Sequence, residues 1–127
     1  MKLLLDTHAF LWWLTDSPRL SAPAAAAIAE AETLFVSTVT AWEIATKHRL
    51  GKLPEAEPIV SGLAGVLERA GMTPLPLGFN HGLRAGSYPA THGDPFDRML
   101  AAQSEIERLP LVSCDPAFRH FPVRILW

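Results

Sequence analysis

The amino-acid sequence predicts an α/β fold with three layers, α/β/α, around a central and mainly parallel sheet. Short apolar runs of strand length alternate with segments of helical character, which is typical of strands connected by helices. No Asn-Gly turn joins two strand-like runs, so the sequence does not indicate hairpins. With 127 residues, 49% hydrophobic and 19% charged, the chain suits a single domain spanning residues 1–127.

The elements of the first half follow from apolar runs and helix caps. Asp6 directly follows an apolar run and is a good N-cap for a helix. Ser17 and Pro18 end that helix, and Gly51 lies where a helix ends in the left-handed conformation. We therefore expect a strand at 3–5, a helix that includes 10–14, an alanine-rich helix from 21 to about 32, a strand at 34–37 and a helix at 39–50.

Proline and glycine delimit the elements of the second half. Gly71 closes a helix expected at 59–70 after a turn at 53–58, and the prolines within 72–77 allow at most an edge or terminal strand. Asp94 and Pro95 open a long helix, and Asp115 with Pro116 repeats this capping arrangement. The expected order is a short helix at 80–85, a loop at 86–93, the long helix to about 107, and strands at 109–113 and 123–127.

Charge and hydropathy exclude several classes of protein. Eleven basic against 13 acidic residues give a net charge of −2, which excludes a domain that binds nucleic acid by charge alone. The apolar runs are far shorter than the roughly 20 residues that span a bilayer, so we expect no membrane segment. Asp6 interrupts the N-terminal apolar run too early for a secretory signal, and the single Cys114 fits a reducing compartment. We expect a cytoplasmic protein.

Five acidic residues are predicted to lie at the same edge of the sheet. Each follows a predicted strand or begins a helix there: Asp6, Glu43, Asp94, Asp97 and Asp115. Carboxylates that meet in a cleft repel one another, and a hard divalent cation such as Mg²⁺ or Mn²⁺ relieves that repulsion. A cation held in this way can activate water and stabilise a leaving oxygen, so the pattern favours phosphodiester hydrolysis.

Helix capping offers another interpretation of each acid. Asp6, Asp94 and Asp115 all precede helical segments, and Asp94 with Asp97 matches a capping box. The segment 40–43, Thr-Ala-Trp-Glu, matches a second capping box that includes Glu43. Caps explain every acid singly, but they do not explain why all five are expected at one edge.

Four segments of the chain resemble the successive motifs of PIN-domain proteins, specifically the VapC-like toxins of type II toxin–antitoxin systems. They are Leu-Leu-Leu-Asp-Thr-His at 3–8, the stretch 37–44 ending in Trp-Glu-Ile, His-Gly-Asp-Pro-Phe-Asp-Arg-Met-Leu-Ala-Ala-Gln at 92–103 and Val-Ser-Cys-Asp at 112–115. The resemblance implies a Mg²⁺- or Mn²⁺-dependent endoribonuclease. It implies catalytic and metal-binding roles for Asp6, Glu43 and Asp97, with Asp115 as a more variable fourth acid. We expect Asp94 to be a cap or an outer residue of the site.

The resemblance also implies partners: an RNA substrate, a small antitoxin protein that blocks the site, and a second copy of the chain in a homodimer.

Two other functions are compatible with a parallel α/β fold. A non-catalytic module could keep the fold and bind only a partner. A phosphoacceptor receiver domain would need an acid pair after the first strand and a late Lys-Pro, whereas Asp6 has no acidic neighbour and Lys52 is the last lysine.

Several further side chains have two interpretations each. Arg98 could contact a phosphate or form an exposed salt bridge. The hydroxyls of Thr7 and Ser113 could contact metal-bound water or the local backbone, and local bonds are the more common case. His92, next to a glycine, is expected in a turn.

The remaining expectations concern aromatic residues and the cysteine. Trp12 and Trp13 are adjacent on a predicted helix and point about 100° apart, so they cannot both face one core. One of them is either partly exposed or part of a surface for the antitoxin or a second copy. Cys114 is expected to be a small buried hydrophobe beside the site.

Overall fold

The sheet confirms the predicted fold class. The computed structural model describes residues 1–53, 60–89 and 91–127. Every strand pairing found there is parallel, and the order across the five-stranded sheet is β3-β2-β1-β4-β5. The strands are β1 (Lys2–Leu5), β2 (Thr33–Ser37), β3 (Thr73–Leu75), β4 (Leu111–Val112) and β5 (Ile125–Leu126). The proline-containing β3 is an edge strand, as predicted.

Helices connect the strands and cover both faces of the sheet. They are α1 (Thr7–Leu14), α2 (Ala22–Glu30), α3 (Thr38–Arg49), α4 (Leu63–Ala70), α5 (Phe79–Ser87), α6 (Pro95–Glu107) and a 3₁₀ helix (Pro116–His120). Among the described residues, none of these helices has the length and apolar character needed to cross a membrane. The turn predicted at 53–58 and the start of the helix predicted at 59 fall largely outside the described residues.

Capping side chains fix where the helices begin. Asp6 accepts a hydrogen bond from the Ala9 amide at 2.7 Å and begins α1. Ser21, Asp94 and Asp115 begin α2, α6 and the 3₁₀ helix in the same way, as predicted.

The start of α3 differs from the prediction. Ser37 is its N-cap and accepts from the Val39 amide at 2.9 Å, so the capping box proposed for Thr40 and Glu43 is wrong. Two hydroxyl residues three positions apart both fit the sequence pattern, and the helix begins at the earlier one. Glu43 therefore lies well inside the helix, where its carboxylate is not needed to cap backbone amides.

The three leucines of β1 show why helices must lie on both sides of the sheet. Side chains alternate between the faces of a strand, so Leu3 and Leu5 point one way and Leu4 the other. Leu3 and Leu5 belong to one apolar cluster with α1, α2 and α4, and Leu4 belongs to a second with α5 and α6. All three leucines are fully buried. Burial of each contributes about 1.5–3 kcal/mol to folding, and Asp6 follows directly at the end of this rigid strand.

Candidate active site

The five predicted acids meet in one cleft. Its volume is about 110 Å³, and it is lined by Asp6, Thr7, His8, Glu43, Lys47, Asp94, Asp97, Leu100 and Asp115. The cleft lies at the carboxyl ends of β1, β2 and β4, because Asp6, α3 and Asp115 follow these strands. Helix α6 runs back toward the start of β4, which brings its N-terminus, with two of the acids, to the same edge. The predicted convergence at one edge is confirmed.

Asp6 carries the most perturbed carboxyl group of the cleft. Its side chain is almost fully buried, and burial raises its pKa from 3.8 to about 6. Hydrogen bonds from the Ser113 side chain and the Ala9 amide offset part of this rise. The negative charge of Asp115 adds to it. The position at the end of β1 thus imposes a cost on the ionised carboxylate that a nearby cation would relieve.

Glu43 is buried on the cleft side of α3 and is held by two side chains. The Thr7 hydroxyl donates to Glu43 Oε1 at 2.6 Å. The Lys47 ammonium, one helical turn later, donates to Glu43 Oε2 at 2.5 Å. Thr7 also lies 3.2 Å from the Thr40 hydroxyl. The Thr7 hydroxyl therefore links α1 to the Glu43 carboxylate. Neither interpretation of Thr7 from the sequence, a bond to the local backbone or to metal-bound water, included this contact.

Asp97 lies in the first turn of α6 and is held by His92. His92 Nε2 donates to Asp97 Oδ2 at 2.7 Å. Burial raises the pKa of Asp97, the bond from His92 lowers it, and the charges of the other cleft acids raise it further. His92, for which the sequence predicts only a turn, therefore has a role that the sequence did not reveal, because the contact depends on how the loop folds back onto the helix.

Asp94 and Asp115 act as helix caps in the cleft. Asp94 Oδ1 accepts from the Asp97 amide at 3.0 Å, and Asp115 Oδ1 accepts from the Ala117 amide at 2.9 Å. Ser113 accepts from the Asp115 amide at 3.0 Å, so its local backbone contact is confirmed. A carboxylate has two oxygens and several lone pairs, so capping leaves each of these groups with capacity to bind a cation. The cap and ligand interpretations are therefore compatible at both positions.

The donor chemistry of the cleft fits a hard divalent cation, but the arrangement is not yet that of a metal site. Carboxylate oxygens are the ligands that Mg²⁺ and Mn²⁺ prefer. Within the described part of the chain, no three His, Cys, Asp or Glu side chains are grouped as they would be around an ion. Lys47 holds Glu43, and His92 holds Asp97 through Oδ2. Binding a cation at Glu43 would compete with the Lys47 ammonium, whereas the His92 bond can persist while the other oxygen of Asp97 binds the ion.

Arg98 has a structural role that the sequence did not predict. Its guanidinium donates to the backbone oxygens of Ala85 at 2.8 Å, Tyr88 at 2.6 Å and His92 at 2.9 Å. It thereby joins α6 to the end of α5 and to the loop that carries His92. Arg98 acts on the cleft by shaping this loop, and it is not among the residues that line the cleft.

The expectations for the cysteine and the tryptophans have different outcomes. Cys114 is exposed, so the prediction of a buried residue is wrong. It follows the buried Ser113, and its side chain points away from the core as the chain leaves β4.

Trp12 and Trp13 are both partly buried. The ring centre of Trp12 lies 5.8 Å from that of Trp127, and Trp13 packs against the core. Their role in a partner surface stays a prediction.

Sequence comparison places the chain among known proteins. The PIN domain family matches residues 3–123. Ribonuclease VapC22 of Mycobacterium tuberculosis is 32% identical over 120 residues, which cover 92% of this chain and 89% of that protein. Ribonuclease VapC16 of the same organism is 39% identical over 61 residues, 46% of this chain and 43% of that protein.

Solved structures share the fold at lower sequence identity. VapBC2 from Rickettsia felis, bound to a DNA fragment from its promoter, has a TM-score of 0.71 at 16% identity and covers 98% of this chain and 97% of that chain. DNA-bound VapBC from Salmonella typhimurium has a TM-score of 0.71 at 18% identity, with 98% and 96% covered. The parallel sheet, the acidic cleft at its carboxyl edge and the similarity along nearly the whole sequence lead to one conclusion: this chain belongs to the PIN-domain family and is a homologue of the VapC ribonucleases.

Proposed function

We propose that this protein is a divalent-metal-dependent endoribonuclease and the toxin of a type II toxin–antitoxin pair. The observation that carries the proposal is the meeting of five carboxylates, from four separate parts of the chain, in one small cleft. Burial and, to a smaller extent, neighbouring carboxylates raise the pKa values of Asp6 and Asp97 there, so keeping these acids ionised in the folded protein has a cost that a bound cation would relieve. Homology to proteins named ribonucleases supports RNA as the substrate.

Four residues would hold the cation: Asp6, Glu43, Asp97 and Asp115. Bound Mg²⁺ or Mn²⁺ supplies a Lewis acid that lowers the pKa of water and stabilises negative charge on phosphate oxygens. Asp94, which caps α6 through one oxygen, would contribute from outside this set.

Two neighbours would position the carboxylates. Thr7 orients Glu43 by donating to one of its oxygens, and His92 does the same for Asp97. Such outer partners fix the direction in which a ligand oxygen points, and this direction determines how well the ligands fit the geometry of the ion.

Charge outside the cleft is favourable for RNA. Setting aside the five cleft acids from the total of 13 leaves eight acids against 11 basic residues, a balance of +3, or +2 when Lys47 of the cleft is also set aside. With the cleft neutralised by cations, the remaining surface would attract a phosphate chain modestly. The net charge of −2 therefore does not contradict a nucleic-acid substrate.

A small antitoxin protein is the proposed partner, and a homodimer is the proposed assembly, in the cytoplasm. The solved structures of similar fold described as VapBC support the first point. The partly buried pair Trp12 and Trp13, beside a groove lined also by Asp16, Ser17, Leu20 and Ala25, is the surface that we propose for one of these partners.

The experiment is a cleavage assay with purified protein and a mixed RNA substrate, with Mn²⁺ or with EDTA. Asp97→Asn and Glu43→Gln should each reduce cleavage by more than about 100-fold, the upper end of the loss caused by outer partners alone. Glu68→Gln removes one negative charge at an exposed site outside the cleft and should cleave normally. Cleavage that survives EDTA, or full activity of Asp97→Asn, would contradict metal-dependent catalysis. A folded wild-type protein that cleaves no RNA would favour the non-catalytic module.

A further inference from the structure

One basic side chain lies inside the acidic cleft. Lys47 is the one lysine or arginine among the described residues that line it. Its side chain is 32% exposed, and its ammonium donates to the buried carboxylate of Glu43. Lys47 occupies α3 four residues after Glu43, so both side chains project from one helix face into the cleft. The Lys47 side chain is thus partly exposed, unlike a surface lysine or a fully buried one.

Lys47 places a positive charge among the acids of the cleft. A lysine ammonium keeps its proton far above neutral pH, and this one lies against the Glu43 carboxylate in a cleft that Asp94 and Asp97 also line. It supplies, in part, the neutralisation that the acids require when no metal is bound.

The contact with Glu43 conflicts with cation binding. Lys47 occupies Glu43 Oε2, and Thr7 occupies Oε1, so both oxygens of this carboxylate already accept a hydrogen bond. Thr7 is a neutral donor on α1, whereas Lys47 is a full positive charge that a divalent cation repels. A lysine side chain is flexible and strongly hydrated, so it can leave one oxygen for another within the reach of its four-carbon stem.

We propose that Lys47 is an exchangeable counter-ion, which binds Glu43 while the cleft holds no divalent cation and binds a phosphate oxygen of RNA when Glu43 serves as a metal ligand. This inference rests on the proposed function for its RNA part, and its metal part stands independently. It makes Lys47 a substrate-binding residue that also lowers the metal affinity of the protein before RNA arrives.

The first test measures Mn²⁺ affinity without RNA by isothermal titration calorimetry. Lys47→Met keeps the length of the side chain and removes its charge, so it should bind Mn²⁺ roughly fivefold to tenfold more tightly than the wild type. Lys47→Arg should bind like the wild type. Lys52→Met is the matched control, because Lys52 is exposed and does not line the cleft. Circular dichroism verifies folding, and Lys47→Gln provides a second neutral variant. An unchanged Mn²⁺ affinity in both neutral variants overturns the proposal.

The second test measures RNA binding rather than cleavage. A fluorescent 2′-O-methyl RNA, verified intact by gel after each titration, is bound in saturating Mn²⁺ at several KCl concentrations. Lys47→Met should bind more weakly, and the slope of log affinity against log salt should fall by about 0.7, the loss of one phosphate contact on a single strand. Lys52→Met should keep the wild-type slope. An unchanged slope in Lys47→Met overturns the phosphate contact. Tight Mn²⁺ binding and RNA binding by a wild-type protein that does not cleave would refute the proposed function alone.

Discussion

Replacing Asp6 by asparagine should stabilise the metal-free protein while it abolishes activity. Asparagine is as good an N-cap as aspartate, so the bond to the Ala9 amide can be kept. The change removes a buried charge whose pKa is raised from 3.8 to about 6. A shift of this size, at about 1.4 kcal/mol for each unit, corresponds to a cost of about 3 kcal/mol for the ionised folded state. We expect a net gain of about 1–3 kcal/mol, since the new amide must also be solvated in the cleft.

The pH dependence of this gain provides a second signature. A carboxyl with a raised pKa in the folded state costs stability above its folded pKa and nothing below its unfolded pKa. The advantage of Asp6→Asn should therefore be complete above about pH 6 and fade as the pH falls toward 3.8. Added Mn²⁺ should reverse the order, because the wild type gains binding energy that the variant has lost.

Thermal and urea unfolding in EDTA at pH 7.5 and pH 4.5 measure these differences. For a chain of this length, a gain of 1–3 kcal/mol raises the melting temperature by roughly 3–12 °C. Glu68→Gln, at an exposed helical position outside the cleft, controls for the change in net charge. Asp6→Ala separates the loss of the cap, about 1 kcal/mol, from the loss of charge. A variant less stable than the wild type at pH 7.5 would refute the argument that burial of charge dominates at Asp6.

Two further predictions concern side chains that hold the cleft in shape. Arg98→Met should lower the free energy of unfolding by about 2–4 kcal/mol, because partly buried backbone oxygens lose a charged donor, and Arg98→Lys should recover only part of that loss. Urea titration measures the stability of both variants. Equal stability of both variants and the wild type would show that the hydrogen bonds of Arg98 do not stabilise the fold. Gln103 is fully buried, accepts from the Ser37 hydroxyl, and donates to Pro76 O at 3.2 Å. Gln103→Leu should cost about 2–3 kcal/mol through the partners left unsatisfied, and it should reduce cleavage in the same preparation. A variant with wild-type stability and activity would show that the amide is dispensable.

The parts of the fold that depend on local sequence were predictable. Three apolar leucines ahead of Asp6 indicate a buried strand and a cap, and the order of strands and helices then implies a parallel sheet. The position of the acids at one edge follows from that topology, because carboxyl ends of parallel strands share an edge. A cap such as Asp94 with Pro95 needs only neighbouring residues, so a sequence can reveal it.

The contacts that cross between segments were not predictable. Arg98 reaches backbone oxygens of α5 and of the loop before α6, and no spacing rule connects these positions. His92 reaches Asp97 for a similar reason. Cys114 was misplaced because burial depends on which face a residue presents after a strand of two residues ends. Lys47 is the exception: its spacing of four from Glu43 is a recognisable helical pair, and the signal was present in the sequence.

Gln103 has a consequence for how the protein meets its ligands. It joins the middle of α6 to Ser37, the residue from which α3 departs. Contacts within the chain therefore help to set the distance between the helix that carries Glu43 and the helix that carries Asp97. A protein inhibitor that binds across these two helices would meet a surface whose shape the folded chain establishes by itself.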